Sequence, residues 1–151
     1  ALIFSRQGIA KLPEGNDYQQ ARKGAYIVAG SDENPDVILV ASGSEVSTLE
    51  AGCAALRADG IKVRVVSAPS EGLFRRQSKE YQESVLPYDV KKFGMTAGLP
   101  VTLEGLVGIG PNSCIYGMKS FGFSAPYKVL DEKLGYTGEN VYKQVKAFLD
   151  K

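Results

Sequence analysis

The sequence predicts an α/β fold, a three-layer sandwich around a mostly parallel sheet, and three observations lead there. Val37 to Ala41 is an unbroken apolar run, the pattern of a strand covered on both faces. Beyond it, up to about Asp59, Val46, Leu49, Cys53 and Leu56 recur at spacings of three, four and three, which makes one apolar face of a helix. Gly60 and then the apolar-rich stretch Lys62 to Val66 follow. Strand, helix and strand thus fill the roughly 30 residues of a βαβ crossover.

The remaining elements are read in chain order. Ala1-Leu2-Ile3-Phe4 is a short apolar run that predicts a strand, and Gly8 and Pro13 mark its exit into a loop. Residues 8–24 read as a connector, with Gly8, Pro13, Gly15, Asn16 and Gly24 around a polar stretch. A domain boundary is expected there, with residues 1–24 as tail and linker and residues 25–151 as the main domain. Ala25 to Ala29 predicts a strand, and Ser31 to Pro35 a turn. Ser44 is expected to cap the helix that follows Val37 to Ala41, with Glu45 placed favourably in its first turn. Gly60 is its C-terminal stop.

Pro69-Ser70 predicts a turn into a short helix around Leu73 to Arg76. Another helix runs from about Ser78 to Val85 and is stopped by Pro87. Lys92 to Met95 and Leu106 to Ile109 are expected strands, separated by Gly98-Leu99-Pro100, and Ser113 to Tyr116 is a weaker strand candidate. Ser124 is expected to cap a helix with Pro126 in its first turn, ending at Gly135. Thr137 caps the last helix, whose buried face is Val141, Val145, Phe148 and Leu149.

Bulk properties exclude several classes of function. The 151 residues (16.2 kDa) are 44% apolar and 23% charged, the composition of a globular domain with a core of its own. A net charge of +1 offers no footprint for nucleic acid or an anionic membrane. No apolar run reaches the ~20 residues that span a bilayer, and no basic leader followed by an apolar stretch is read at the start. Cys53 and Cys114 are the only cysteines and sit in unrelated contexts, so neither a disulfide framework nor a zinc site is expected, and a reducing cytoplasm fits. Histidine is absent, which removes the commonest proton-transfer side chain near neutral pH. Together with a first residue other than Met, this predicts a piece of a larger protein.

Few residues qualify as sites. Arg6, at the mouth of the first expected strand, could aim a guanidinium fork at a phosphate or carboxylate, or simply pair with a surface acid. Ser42-Gly43-Ser44 turns from a buried strand into a helix start, so Gly43 and Ser44 form a candidate anion site. The stretch matches neither a dinucleotide fingerprint nor a P-loop, and Ser44 as a cap explains it without a ligand. Ser70-Glu71 and Arg75-Arg76 read as a solvated helix start. The glycines from Gly105 to Gly110 lack the following helix that a phosphate cradle needs. Cys53 reads as core and Cys114 as inert, and the tyrosines are too scattered for a stacking platform. By its residues alone, the chain is a binding or interaction domain without catalytic residues.

Several segments taken together resemble one family. Leu2-Ile3-Phe4-Ser5-Arg6-Gln7, the run VASGSEV from Val40 to Val46, and Val63-Arg64-Val65-Val66-Ser67-Ala68-Pro69-Ser70 match successive blocks of transketolases. Gln77, Tyr81, Ser84 to Pro87, and then Phe121-Gly122, Ser124-Ala125-Pro126, Leu130, Gly135, Thr137 and Asn140-Val141 continue the match in order. The chain resembles the transketolase C-terminal domain preceded by the last strand of the pyrimidine-binding domain. Two departures stand out: Thr96 replaces a glutamate usual in the family, and Leu103 replaces a tryptophan.

The resemblance implies a Rossmann-like sheet and a parent enzyme that moves two-carbon ketol units between sugar phosphates in the pentose phosphate pathway. Thiamine diphosphate and Mg²⁺ would be held by parts of the parent that this chain lacks, and the parent would be a cytoplasmic homodimer. Arg6 matches the family arginine that contacts the substrate phosphate; no other functional residue carries over. The isolated piece is expected to be structural and inactive. A small-anion or nucleotide-binding regulatory module, and the equivalent domain of another thiamine-diphosphate enzyme, are the alternatives.

Overall fold

The computed structural model describes residues 7–11, 18–30 and 34–151. The expected first strand with Arg6, the connector from residue 12 to 17 and Ser31 to Glu33 of the expected turn lie outside the described residues. Five strands form the sheet: β1 (Tyr26–Ala29), β2 (Val37–Ala41), β3 (Val63–Ser67), β4 (Lys91–Met95) and β5 (Ser113–Tyr116). Their order is β1-β3-β2-β4-β5. Only β1 runs antiparallel, against β3, and the other neighbours are parallel.

The central strands carry apolar side chains to both faces because helices cover both. Val37, Leu39 and Ala41 of β2, Val63 and Val65 of β3, and Phe93 and Met95 of β4 join one core layer. That layer is closed by α1 (Glu45–Ala58) and α6 (Gly138–Leu149). Ile38, Val40 and Val66 point the other way. They meet α2 (Glu71–Arg75), α3 (Lys79–Val85) and α4 (Glu104–Val107). The result is the predicted three-layer α/β sandwich, with α5 (Tyr127–Leu134) at its edge. No helix among the described residues is long and apolar enough to cross a membrane.

Capping chemistry sets most helix starts. The hydroxyls of Ser70, Ser78 and Thr137 accept from the backbone N–H groups of Leu73, Tyr81 and Asn140, satisfying donors that the helices leave open. Gly135 closes α5 with φ +75°. Basic side chains close other helix ends. Arg64, buried within β3, donates to the carbonyls of Ser84 and Val85 at 3.0 and 3.2 Å. Lys91 donates to those of Phe148 and Leu149 at 3.3 and 3.2 Å. Each cation meets the negative end of a helix, where its charge is favourable.

Three local expectations are corrected. Leu106 to Ile109 is not a strand: Pro100–Leu103 forms a 3₁₀ turn that runs into α4, and Gly108 ends it at φ +90°. Leu103, Leu106 and Val107 stand at i, i+3 and i+4, a helical spacing, and all three are buried in the second core layer. Ser124 does not cap α5, which starts after Pro126. A proline disfavours helical geometry in the residue before it, so Ala125 cannot open the helix. Ser44 precedes α1 but its side chain makes no cap bond, because its backbone is already helical (φ −62°, ψ −32°) where a capping residue is extended.

α1 and α6 approach so closely that glycine is required. A Cβ at Gly52 would lie 2.7 Å from Val141 Cγ1 and 2.9 Å from the Gly138 carbonyl oxygen. Alanine would gain about 1 kcal/mol of helix propensity, but overpacking of this kind costs about 1–3 kcal/mol. Gly52→Ala is therefore expected to lower the urea midpoint of the chain. A raised midpoint would show that the two helices can part at no cost.

Candidate functional site

The strand order creates one natural crevice. From β2 the chain crosses through α1 to β3 on one side, and from β4 it crosses to β5 on the other. Open parallel sheets part their connections at such a point, beyond the carboxyl ends of the strands. A hollow of about 430 Å³ lies there, lined by Gln7, Ser44, Glu45, Thr48, Phe123 and Tyr136 among others. Ser44 and Glu45 come from the turn after β2, Ala97 follows β4, and Met118 and Phe123 follow β5.

Internal bonds organise the turn after β2. Gly43 takes φ +65°, a conformation that suits glycine. The N–H groups of Val46 and Ser47 donate to the carbonyls of Gly43 and Ser44 at 3.3 and 3.1 Å. The Ser44 hydroxyl donates to Glu45 Oε1 at 2.8 Å, and the Ser47 hydroxyl to the Ser44 carbonyl at 2.8 Å. The carboxylate at the start of α1 is thus the chain's own. Asp131 brings a second acid, and no Lys or Arg is among the described residues lining the crevice. Hydroxyls, carboxylates and apolar side chains face this space, a lining that repels an added anion.

Tyr136 forms one wall. Its hydroxyl donates to the Thr96 carbonyl at 2.8 Å, and its ring meets Tyr116 edge-on at 5.8 Å. Tyr116 in turn donates to the Leu134 carbonyl at 2.8 Å. Burial, reinforced by Tyr116 and Glu45, pushes the Tyr136 hydroxyl up to about 12 from 10.0. The neutral phenol is favoured in the fold, so its contribution is complete below pH 10 and is lost as the pH rises through about 12. Tyr136→Phe is expected to flatten the alkaline decline of stability across that window, measured by urea unfolding at stepped pH. An unchanged slope would show that Tyr136 ionises without a folding penalty.

The other sequence candidates resolve as structure. Ser70 caps α2, Glu71 and Arg75 pair along it, and Arg75 also donates to the Gly105 carbonyl at 3.1 Å. Gly108 and Gly110 lead into β5 rather than into a helix. Burial drives the Cys53 thiol up to about 12 and raises that of Cys114, so neither is an activated thiolate. Thr96 ends the β4 segment with its N–H on the Tyr116 carbonyl at 3.0 Å, and Leu103 is buried against Gly94. Among the described residues no three His, Cys, Asp or Glu side chains come close enough to hold a metal ion. Arg6 itself lies outside the described residues, although its neighbour Gln7 lines the crevice.

Sequence reasoning found Gly43 and Ser44 but missed Glu45, Asp131, Phe123 and Tyr136 as one group. Their meeting depends on strand order, which no local spacing encodes.

The family model described as "Transketolase-like TK C-terminal domain" matches residues 24–137. Transketolase 1 of Vibrio cholerae is 43% identical over 151 residues, covering 99% of this chain and 22% of its own length. Transketolase of Staphylococcus aureus is 40% identical over 148 residues, covering 96% and 22%. The structure of Pichia stipitis transketolase in complex with sedoheptulose 7-phosphate superposes with a TM-score of 0.84 at 30% identity, covering 96% of this chain and 20% of that one. The chain thus spans about a fifth of the length of these relatives.

Proposed function

This chain belongs to the transketolase-like C-terminal domain family, and from that premise we propose that it is the closing domain of a transketolase. The parent moves two-carbon ketol units between sugar phosphates, as a cytoplasmic homodimer in the pentose phosphate pathway. The observation that carries the reading is the family match over residues 24–137, supported by relatives of 40% identity and more that are themselves named transketolases.

In this reading, thiamine diphosphate with Mg²⁺ supplies the carbanion chemistry for the transfer. Among the described residues no cluster of metal-ligating side chains fits the metal, and the reading assigns the cofactor to other parts of the parent. Residues 1–24 are the end of the pyrimidine-binding domain and its linker, and residues 25–151 are the C-terminal domain. Arg6 binds the substrate phosphate, on the strength of its Ser5-Arg6-Gln7 context. A phosphate anchor remote from the reacting carbons uses binding energy to position them. Gly43 and Ser44 build the start of α1, as their internal bonds suggest, and the domain's own role is packing and subunit contact.

A chimera tests the reading. Exchanging the matching 22% of Vibrio cholerae Transketolase 1 for this chain is expected to give ketol transfer with thiamine diphosphate and Mg²⁺, while this chain alone gives none. A folded, dimeric chimera without ketol transfer would count against it.

A further inference from the structure

The amino edge of the sheet, opposite the crevice, holds a hollow of about 360 Å³, a size that admits a small ligand. It opens between the turn after α3, the first residues of β4 and β5, and the loop from Gly108 to Asn112. Lys92 lines it and is only 7% exposed. Two of its three ammonium N–H groups donate to the carbonyls of Tyr88 and Val90, at 3.2 and 3.0 Å. The third donor has no partner among the described residues, and Lys92 forms no ion pair with any of them. Burial lowers the pKa of this ammonium, although Glu83 and Asp89 favour its charged form. A buried cation with an unmet charge and an unmet donor is costly unless something in the hollow meets both.

The loop beside Lys92 adds further donors. Gly108 (φ +90°) and Gly110 (φ +136°) turn the chain there. The backbone N–H groups of Ile109, Gly110 and Asn112 make no hydrogen bond within the described residues, and free N–H groups in such a turn suit an anion. A phosphate cradle ordinarily takes its positive end from a helix start; here a buried lysine supplies it. One donor from Lys92 and three from the loop suit the three terminal oxygens of a phosphate monoester better than the two of a carboxylate. Glu83 is the one acid on the hollow among the described residues. Its Oε2 accepts from the Tyr88 N–H at 3.1 Å, which holds it in place. A carboxylate there repels a bare anion but accepts from a hydroxyl. Tyr88 and Ile109 also line the hollow and are exposed, offering apolar surface to a carbon skeleton.

We propose that this hollow binds a small hydroxylated phosphate monoester, with Lys92 and the Gly108–Asn112 loop on the phosphate and Glu83 on a hydroxyl. The site is separate from the crevice, and it stands whether or not the chain serves ketol transfer.

Short-time hydrogen exchange read by mass spectrometry tests it on the intact protein. The probes are glycerol phosphate and inorganic phosphate, with chloride at matched ionic strength as the control. Glycerol phosphate has no carbonyl and accepts no ketol unit, so binding is read apart from turnover. Exchange in the segment 108–112 is expected to slow roughly tenfold when glycerol phosphate stands at about ten times its dissociation constant. Inorganic phosphate should bind more weakly, for want of a hydroxyl. Lys92→Met keeps the buried stem and should abolish the slowing. Because that variant also gives up two carbonyl bonds, Glu83→Gln supplies an independent arm. Its amide oxygen still accepts from the Tyr88 N–H, and loss of the carboxylate charge should tighten inorganic phosphate. No slowing with either probe, equal slowing in chloride, or slowing that survives Lys92→Met would overturn the proposal. So would inorganic phosphate that matches glycerol phosphate in the wild type, or that is indifferent to Glu83→Gln.

Discussion

Phe93→Ala is expected to cost about 3–5 kcal/mol of folding stability, the range for removing a buried aromatic ring. Phe93 is fully buried in β4. It stands opposite Leu39 of β2 and Cys114 of β5, in the core layer closed by Leu49, Val145 and Phe148. The site cannot collapse easily, because it has a paired strand on each side and helices above. A domain of this class is stable by only about 5–15 kcal/mol in total. At roughly 2–4 °C per kcal/mol, thermal unfolding should fall by roughly 6–20 °C. Phe121→Ala supplies the contrast within the same chain: its ring is 97% exposed, and the substitution should stay within about 0.5 kcal/mol. Equal losses for the two would contradict the assignment of core and surface.

That contrast also shows what a sequence can reveal. Phe93 alternates with the small Gly94 in a short run, and the pattern is enough to predict a strand. Phe121 sits beside Gly122 with no periodicity, and nothing local says that it stands in solvent. The β2–α1–β3 unit was legible because buried strand, amphipathic helix and stop glycine each carry their own signal. The cap at Thr137 was legible for the same reason, its chemistry being confined to four residues, whereas those expected at Ser44 and Ser124 did not form and those at Ser70 and Ser78 were read only as helix starts.

What was not legible depended on tertiary placement. The run from Leu106 to Ile109 has the residues of a strand, but its partner in periodicity is Leu103, which lies before the expected start of that run. Arg64 and Lys92 fall in expected strands, but nothing in the sequence says what their charges meet there, and both are buried. Arg64 holds the end of α3 to the sheet, and Lys92 holds the turn after it through the carbonyls of Tyr88 and Val90. The crevice follows from the order β1-β3-β2-β4-β5, which periodicity does not contain. Glu45 was seen as a favourable first-turn acid, and its consequence for Gly43 and Ser44 emerged only once Asp131 was placed on the same hollow.

Arg6→Ala in the intact protein is the second large effect. A charge-assisted contact to a phosphate is worth about 1.5–3 kcal/mol, which converts to roughly ten- to a hundredfold in kcat/KM. The loss should be confined to phosphorylated sugars, because an unphosphorylated analogue has nothing for the guanidinium to hold. Arg6→Lys should recover only part of it, since an ammonium replaces a two-pronged fork by a point charge. A structural arginine would behave otherwise, weakening every substrate alike together with the thermal midpoint.

The measurement that tests the account most directly is therefore steady-state ketol transfer by the intact protein and its Arg6→Ala variant. Thiamine diphosphate and Mg²⁺ are supplied, and phosphorylated substrates are compared with their unphosphorylated counterparts. The account predicts ketol transfer by the wild type and a selective fall of roughly ten- to a hundredfold for the phosphorylated sugars in the variant. Equal kcat/KM for wild type and variant would contradict the role of Arg6, and a wild type without ketol transfer would contradict the transketolase reading itself.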